Sequence, residues 1–243
     1  MLEGKNIIVT GGNGLLGREI CENIIRNGGK PINLDLHQTQ PSKQNLICDI
    51  TDSKSIEETL EYIESNFGSI HGLVNNAYPR TEDWGSSFED TDYDSLQKNV
   101  DWQMNSYLNM CRLIVPYLRK VNGGSIINMT SIYGVVGNDF TIYEGTQMEP
   151  PFAYAAIKGG LISATRFLAS KYGWEAIRFN CVSPGGIFDN QPLKFVEAYN
   201  KRVPMRRMGD PGDIAPSISF LLSDNSKYVT GQNLIIDGGW TII

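Results

Sequence analysis

The sequence predicts an α/β fold in which a doubly wound parallel sheet is flanked by helices. Short runs rich in β-branched residues alternate with longer amphipathic stretches along the whole chain. Parallel strands need a crossover between them, and helices must cover both faces of such a sheet. The chain has 243 residues and no Pro/Ser-rich linker, so we expect residues 1–243 to form one domain. Together these observations indicate a single-domain Rossmann-type arrangement.

Seven runs are expected to be strands: 6–10, 30–36, 45–48, 72–75, 125–130, 178–182 and 234–236. Five amphipathic stretches between them are expected to be helices: 15–27, 53–66, 93–121, 153–172 and 213–222. Ligands of such folds bind beyond the carboxyl ends of the strands. A functional site is therefore expected in the segments that directly follow the strands.

The bulk composition favours a small soluble partner. The net charge of -6 gives no electrostatic reason to expect nucleic acid. The four cysteines never form a CxxC pair, and His37 and His71 have no partner at metal-site spacing, so no metal is expected. The chain has no signal-peptide-like start and no uncharged apolar run of about 18 residues, so no membrane association is expected. A cytoplasmic location follows as the expectation.

A glycine-rich turn follows the first predicted strand and opens a helix. It reads Thr-Gly-Gly-Asn-Gly-Leu-Leu-Gly from position 10 to position 17. Glycines suit a tight turn that a phosphate can approach closely, and the N–H groups at a helix start can hold a pyrophosphate. The same composition occurs in plain loops, but the position between a strand and a helix favours a dinucleotide. The residues of this turn expected to contact the cofactor are Gly11, Asn13, Gly14, Leu15, Leu16 and Gly17.

Polar residues after the next strands extend the predicted cofactor site. Asp35 ends the second strand, 24 residues after Gly11, where a carboxylate can accept hydrogen bonds from the adenosine ribose. Its charge would repel a 2′-phosphate, and no Arg or Lys stands at Asn13 or at the two positions after Asp35. NAD is therefore preferred over NADP. The cofactor contacts expected after the third and fourth strands are Asp49, Ile50, Asn75 and Ala77. Taken singly, such residues are ordinary in turns.

Tyr154 and Lys158 lie four residues apart at the start of a predicted helix, so both side chains project from one face. A free tyrosine has a pKa near 10, and acid–base work near neutrality needs a shift of about three units, or roughly 4 kcal/mol. A lysine ammonium on the same face stabilises the phenolate and supplies part of that shift. Tyr-x-x-x-Lys is also common on solvated helices, so the pair alone does not decide. The rivals Tyr133 and Tyr143 have no lysine four residues on.

Six motifs, in order along the chain, resemble the short-chain dehydrogenase/reductase family. They are the glycine turn, Asn75-Asn76-Ala77, the Ser131 strand end, Tyr154-x-x-x-Lys158, Pro184-Gly185, and Thr-Gly-Gln to Asp-Gly-Gly over 230–239. The resemblance implies an oxidoreductase that transfers a hydride between a nicotinamide cofactor and a secondary alcohol or ketone.

The resemblance also implies the role of each matching residue. Tyr154 would be the general acid/base, and Lys158 its electrostatic partner and a ligand of the nicotinamide ribose. Ser131 would donate a hydrogen bond to the substrate oxygen. Pro184, Gly185 and the backbone of Ile187 are the residues expected beside the nicotinamide.

The chain departs from the family pattern at several positions. The helix asparagine of the family's proton relay falls on Gln103, with Asn105 two residues later, and the sequence leaves open which of the two serves the relay. Leu15 stands where a turn glycine is common, and Asp189 stands where a threonine often contacts the nicotinamide amide. We expect the altered turn still to bind the cofactor.

Tyr154 follows Ser131 by 23 residues, a longer interval than is usual in the family, and the extra segment 136–151 is expected to shape the substrate pocket. This segment, with 131–134 and 183–192, resembles the subgroup of flagellin-modification or legionaminic-acid-biosynthesis oxidoreductases. That resemblance implies a sugar or sugar phosphate as the small-molecule substrate. Five cations are expected either to contact a phosphate of the substrate or simply to be solvated at the surface. They are Arg80, Lys194, Arg202, Arg206 and Arg207.

Two other functions stay open at this point. A non-catalytic NAD-binding sensor or scaffold would keep the fold, and Leu15, Gln103 and Asp189 motivate it. A reductase of acyl or steroid-like ketones would keep the chemistry, although the polar, acidic segment 136–151 argues against it. The helices at 93–121 and 153–172 resemble those through which family members assemble, so we expect a homo-oligomer, either a dimer or a tetramer.

Overall fold

The computed structural model describes residues 1–37 and 44–243. Within these residues the strands are β1 (Asn6–Thr10), β2 (Lys30–Asp35), β3 (Asn45–Ile47), β4 (Gly72–Asn75), β5 (Gly124–Met129), β6 (Ile177–Pro184) and β7 (Asn233–Ile236). They form one parallel sheet in the order β3-β2-β1-β4-β5-β6-β7. The strand order reverses between β1 and β4, which is where open α/β sheets bind their ligands.

Helices cover both faces of this sheet. In the described ranges they are α1 (Leu15–Arg26), α2 (Ser53–Phe67), α3 (Tyr93–Val100), α4 (Ser106–Lys120), α5 (Phe152–Tyr172), α6 (Leu193–Arg202) and α7 (Pro211–Leu222). On one face, Ile20 and Ile24 of α1 and Ile218 of α7 pack with Val9 of β1. On the other, α2, α4 and α5 surround Ile8 of the same strand. None of the described helices is long and apolar enough to cross a membrane. The doubly wound α/β fold predicted from the sequence is confirmed.

The helix predicted over 93–121 contains a π turn. α3 ends at Val100, a π-helical turn spans Asp101–Asn105, and α4 begins at Ser106. The backbone is helical from Tyr93 to Lys120 without a break, so the predicted helix is present; the π turn within it was not predicted, because it inserts only one extra residue, which the hydrophobic period does not reveal. Such turns are frequent at functional sites, and this one carries Gln103.

The sequence analysis does not predict α6. The helix has ten residues, too few for a clear helical period, and it follows a long loop after β6. Its Phe195 and Tyr199 pack with Ile142 of the segment 136–151. α6 and that segment therefore form one structural unit above the carboxyl ends of β5 and β6.

Candidate active site

A cleft of about 1010 Å³ lies at the carboxyl ends of the strands. It is lined by residues that follow each of β1 to β6, as expected for a fold of this type. The predicted site residues that line it are Gly11, Asn13, Gly14, Leu15, Leu16, Asp35, Asp49, Ile50, Ala77, Ser131, Tyr154, Lys158, Pro184, Gly185 and Ile187. Residues separated by up to 176 positions along the chain are thus brought to one cavity.

Three predicted site residues do not line this cleft. Gly17 packs behind the glycine turn. Asn75 is fully buried, and its amide nitrogen donates to the Asn128 side chain at 2.9 Å, so this side chain lies under the sheet edge and not beside a ribose. Gln103 is also buried and does not line the cleft. The residue next to Asn75, Asn76, lines the cleft instead.

The glycine turn folds tightly because glycine is required at two of its positions. Gly11 has φ +66, and a Cβ there would lie 2.7 Å from the Cα of Ala77. A Cβ on Gly17 would lie 2.1 Å from the carbonyl oxygen of Gly11 and 2.7 Å from the Cα of Gly12. The turn and the first residues of α1 therefore approach each other closer than any side chain permits.

Asn33 of β2 supports this turn and was not predicted from the sequence. Its side-chain oxygen accepts a hydrogen bond from the Gly12 N–H at 2.7 Å, and its amide nitrogen donates to the Asn13 side chain at 2.9 Å. Asn33 is buried in β2, between Ile32 and Leu34. A buried polar residue in an otherwise apolar strand is the signal that could have identified it.

Two opposite charges lie beside the turn: the partial positive charge of the α1 N-terminus and the negative charge of the Asp35 carboxylate. Gly14 caps α1 without a side-chain hydrogen bond, and the first turn of α1 has no acidic residue. The partial positive charge of the helix N-terminus is therefore available to an anionic group. Asp35 lies at the end of β2, where one carboxylate oxygen accepts from the Asn13 N–H at 3.1 Å. The arrangement suits a pyrophosphate at the helix and ribose hydroxyls at the carboxylate.

Lys158 lies on the first turns of α5 and is only 4% exposed. Its ammonium donates to the carbonyl oxygen of Met129, the last residue of β5, at 2.9 Å. Its Nζ lies 5.4 Å from the ring centroid of Tyr154, 5.5 Å from that of Tyr107 and 5.9 Å from that of Tyr78. Burial lowers the pKa of Lys158 to about 8. Three aromatic rings and one carbonyl oxygen thus hold a cation that burial disfavours.

Burial also raises the pKa of Tyr154, although the Ser131 hydroxyl lies close enough to lower it in part. The sequence analysis expected a lowered pKa because of Lys158. In the structure the loss of hydration around the phenol outweighs the nearby donors, so the direction expected from the sequence is wrong for this state of the protein. The neutral phenol is the form that can donate a proton.

Ser131 reaches Tyr154 because the loop after β5 packs directly on α5. Ser131 caps a 3-10 turn, and its Oγ accepts from the Tyr133 N–H at 3.2 Å. A Cβ on Gly134, at the end of that turn, would lie 2.7 Å from the carbonyl carbon of Lys158. Glycine at this position therefore lets the serine-bearing loop contact the backbone of the helix that carries Tyr154 and Lys158.

Gln103 and Asn105, the two residues that the sequence offers for a proton relay, both lie in the π turn, but one is buried and the other is exposed. The Asn105 side chain is exposed and donates to Asp101 at 3.0 Å. Gln103 is 1% exposed, and neither its amide oxygen nor its amide nitrogen has a hydrogen-bond partner within the described residues. A buried amide without partners is costly and commonly marks a water or a functional role. Gln103, not Asn105, faces the interior.

Two aromatic residues, neither of them predicted from the sequence, pack beside the Tyr154 phenol, and one of them, Tyr78, lines the cleft. Tyr78, just after β4, contacts Tyr154 edge-to-face at 5.8 Å between centroids. Trp84 contacts Tyr78 at 5.7 Å and Tyr154 at 6.3 Å, and its indole N–H donates to the Tyr78 hydroxyl at 2.8 Å. We call Tyr78 and Trp84 the aromatic wall. Mutual edge-to-face packing and a hydrogen bond fix its position beside the phenol.

The opposite side of the cleft comes from the segment 136–151 and α6. Tyr143 and Met148 of that segment line the cleft, and Tyr143 packs on Phe195 of α6 with centroids 5.2 Å apart. Asp189 lines the same region, with its N–H donating to the Gln191 side chain at 2.8 Å. Within residues 1–37 and 44–243, no group of three or more His, Cys, Asp or Glu side chains is placed to hold a metal ion.

Comparisons with known proteins follow the same pattern as the site. A family model described as enoyl-(acyl carrier protein) reductase matches residues 26–241. The post-translational flagellin modification protein A of Campylobacter coli is 34% identical over an alignment of 254 positions, gaps included, which covers 99% of this chain and 99% of that protein. The family model covers the fold from the end of α1 onward, and the match to the Campylobacter coli protein also includes β1 and the glycine turn.

Two solved structures share this architecture. A short chain dehydrogenase from Leptospira borgpetersenii with bound NAD+ has a TM-score of 0.90 and 34% identity, covering 99% of this chain and 94% of that one. The aldohexose dehydrogenase of Thermoplasma acidophilum, in ligand-free form, has a TM-score of 0.86 and 26% identity, covering 99% and 95%. The family resemblance found in the sequence is confirmed, and the chain belongs to the short-chain dehydrogenase/reductase family of oxidoreductases.

Proposed function

We propose that this protein is an NAD-dependent oxidoreductase that acts on a secondary alcohol or ketone. The observation that carries the proposal is the convergence of Ser131, Tyr154 and Lys158 in the same cleft as the glycine turn and Asp35. When bound, NAD supplies or accepts the hydride. The protein has to bind the cofactor, position the substrate oxygen and move one proton.

The cofactor half of the proposal is supported by the shape of the turn. The turn can fold tightly against Ala77 and the start of α1 only because Gly11 and Gly17 lack side chains, and the uncapped N-terminus of α1 faces the cleft. The Asp35 carboxylate suits ribose hydroxyls and would repel a 2′-phosphate, which favours NAD over NADP. The related short chain dehydrogenase with bound NAD+ supports the same choice.

The proton chemistry is assigned to Tyr154. In the reductive direction the neutral phenol donates its proton to the substrate oxygen, and in the oxidative direction the phenolate takes it back. Lys158 stabilises the phenolate electrostatically. Ser131 accepts from a backbone N–H and keeps its own hydroxyl hydrogen as a donor, which is directed to the Tyr154 phenol in this structure and which we assign to the substrate oxygen when a substrate is bound. The role of Gln103 in a proton relay stays a prediction.

The substrate class we propose is a sugar or sugar phosphate of surface-glycan or flagellin-glycan biosynthesis. Aromatic rings beside polar groups such as Asp189 and Gln191 line the cleft, a mixture that suits a ring with both C–H faces and hydroxyls. Flagellin modification protein A and an aldohexose dehydrogenase are among the proteins that this chain resembles. The mixed lining of the cleft and the likeness to an aldohexose dehydrogenase support a carbohydrate substrate.

Binding of NAD and turnover of sugars test the proposal separately. NAD at about 100 times its Kd is expected to raise the free energy of unfolding by about 2.7 kcal/mol, and NADP at equal concentration by less. Thermal denaturation measures this shift, and its absence at millimolar NAD would rule out the cofactor. A panel of sugars, sugar phosphates, nucleotide sugars, acyl ketones and steroid ketones is then followed by NADH absorbance. Turnover only of the last two classes would contradict the carbohydrate assignment, and NAD binding without any turnover would favour the scaffold.

The buried ammonium of Lys158 predicts a specific pH dependence of stability. Burial lowers its pKa to about 8 in the folded chain, whereas an unfolded lysine titrates near 10.4. Between these values the unfolded state binds more protons at this site, so Lys158 makes the free energy of unfolding rise with pH. Below about pH 8 both states are protonated, and the penalty is complete.

The variant Lys158→Met is expected to lack this rise. Its free energy of unfolding relative to the wild type should fall by roughly 3 kcal/mol between about pH 7 and about pH 10. Urea unfolding at both pH values measures the difference, and the exposed Lys194→Met variant is the control, which should show none. A difference that stays constant over this range would show that Lys158 is not held charged at a cost.

A further inference from the structure

We propose that Arg80 is the anchor for an anionic group, a phosphate or a carboxylate, on the substrate. This inference rests on the proposed function, because it names a property of the molecule that enters the same cleft. Arg80 follows β4 on the loop that carries the aromatic wall, and it lines the cleft. Nothing in the family motifs described above assigns a role to this position.

Arg80 is the available cation of the cleft. Within the described residues, Arg80 and Lys158 are the two positively charged side chains that line the cavity. Lys158 is buried and donates to Met129. Arg80 is exposed, and no carboxylate in the part of the chain that the structure describes lies within ion-pairing distance of it. Its five N–H donors are therefore free for a ligand.

The other cations near the cleft are already engaged or point elsewhere. Arg207 makes two hydrogen bonds to the Asp213 carboxylate, at 2.6 and 2.7 Å, and Arg202 pairs with Asp139 at 3.4 Å. Their charges serve to hold α7 and the segment 136–151 in place. The sequence could not separate these arginines from Arg80, because Arg80 follows β4 and the others lie in the region after β6, where a ligand is also expected.

The aromatic wall positions the guanidinium relative to the reacting group. The Arg80 Cζ lies 5.7 Å from the ring centroid of Tyr78, a cation–π contact, and Tyr78 contacts Tyr154 at 5.8 Å. Tyr78 is 41% exposed, so part of its ring is available to a substrate. A substrate whose alcohol lies at Tyr154 can thus pass across Tyr78 and place a charged group at Arg80. This spacing suits a molecule of the size of a monosaccharide bearing one anionic substituent.

A single arginine has a large effect on the binding of an anionic substrate here, because its surroundings are negatively charged. The chain has a net charge of -6, and Asp35, Asp49 and Asp189 also line the cleft. Without Arg80 the cavity would repel an anionic substrate. The planar guanidinium matches the oxygens of a phosphate or a carboxylate in a two-pronged hydrogen bond, which an ammonium does not.

The inference is tested by titrating the NAD-loaded protein with small anions, in a way that does not need turnover. Inorganic phosphate and acetate are the probes, and the fluorescence of Trp84 and Trp102, both near or in the cleft, reports binding. Arg80→Gln is expected to weaken the binding of the recognised anion about 10- to 100-fold, which corresponds to the loss of a charged hydrogen bond. The Arg80→Lys variant should bind the anion more tightly than Arg80→Gln and less tightly than the wild-type protein. Whichever probe binds identifies phosphate or carboxylate as the recognised group.

Lys194→Gln is the matched control. Lys194 is an exposed cation at the start of α6, beside Gly145, and it does not line the cleft. This variant should bind the anion like the wild type. The proposal is overturned if neither probe binds the wild-type protein, if Arg80→Gln binds as tightly as the wild type, or if Lys194→Gln loses binding instead.

Failure of this inference is distinguishable from failure of the proposed function. An unchanged NAD-induced rise in melting temperature in Arg80→Gln shows that the variant is folded and binds the cofactor. The substrate panel then compares a neutral sugar with its charged counterparts, for example glucose with glucose 6-phosphate and glucose with glucuronate. The Arg80→Gln change should lower kcat/KM for the charged member about tenfold or more and leave a neutral member unchanged. Equal losses on both members would assign Arg80 a merely structural role.

Discussion

Tyr154→Phe is expected to lower turnover about 10²- to 10⁴-fold while leaving NAD binding intact. The substitution removes only the hydroxyl that donates or accepts the substrate proton, and positioned acid–base groups contribute rate factors of that size. The ring keeps its edge-to-face contacts with Tyr78 and Trp84, so the cleft should keep its shape. The measurement is kcat by NADH absorbance with the substrate found in the panel, beside the NAD-induced shift in melting temperature.

The matched control for this variant is Tyr62→Phe, on an exposed face of α2. It removes a tyrosine hydroxyl far from the cleft and should turn over at the wild-type rate. A Tyr154→Phe protein that retains more than about a tenth of the wild-type kcat would place the proton transfer on another group. A protein that also loses NAD binding would instead show that the phenol is needed for the shape of the cofactor site.

Gly17→Ala is expected to remove most NAD binding and to destabilise the fold. The new Cβ would lie 2.1 Å from the Gly11 carbonyl oxygen and 2.7 Å from the Gly12 Cα, and neither backbone atom can rotate away. Either the turn or the start of α1 has to move. Overpacking of this kind costs typically about 1–3 kcal/mol in free energy of unfolding, even before the phosphate contacts are considered.

Urea unfolding and the NAD-induced shift in melting temperature measure both effects. Gly173→Ala is the control, because Gly173 has an α-helical conformation and a Cβ there meets nothing within 4 Å. That variant should be as stable as the wild type or slightly more so. A Gly17→Ala protein with an unchanged urea midpoint and an unchanged NAD shift would show that the turn is not the phosphate site.

The sequence predicted the sheet and the site residues where the determining contacts are local. Strand runs, the glycine turn and the spacing of Tyr154 and Lys158 all depend on neighbours within a few residues. Asn75 shows the limit. Successive side chains of a strand point to opposite sides, so of two adjacent asparagines only one can face the cleft, and the sequence does not say which. In the structure it is Asn76.

The features that were missed depend on contacts between distant parts of the chain. Asn33 contacts Gly12 across 21 residues, and Tyr78 contacts Tyr154 across 76. Neither contact affects the hydrophobic periodicity from which the elements were predicted. The direction of the Tyr154 pKa was also beyond reach, because it depends on how much water the surrounding rings exclude. The π turn escaped for a different reason, since one inserted residue hardly changes the apolar stripe of a helix.

The hydrogen bond from Lys158 to the carbonyl oxygen of Met129 has a consequence for how this enzyme can change. Met129 ends a central strand, and Ser131 follows it by two residues, so the reacting groups inherit the rigidity of the sheet. Segment 136–151, by contrast, packs on α6, outside the sheet. Substitutions in that segment can therefore alter which molecule is accepted while the proton-transfer machinery keeps its geometry. New specificities are open to this scaffold without rebuilding its chemistry.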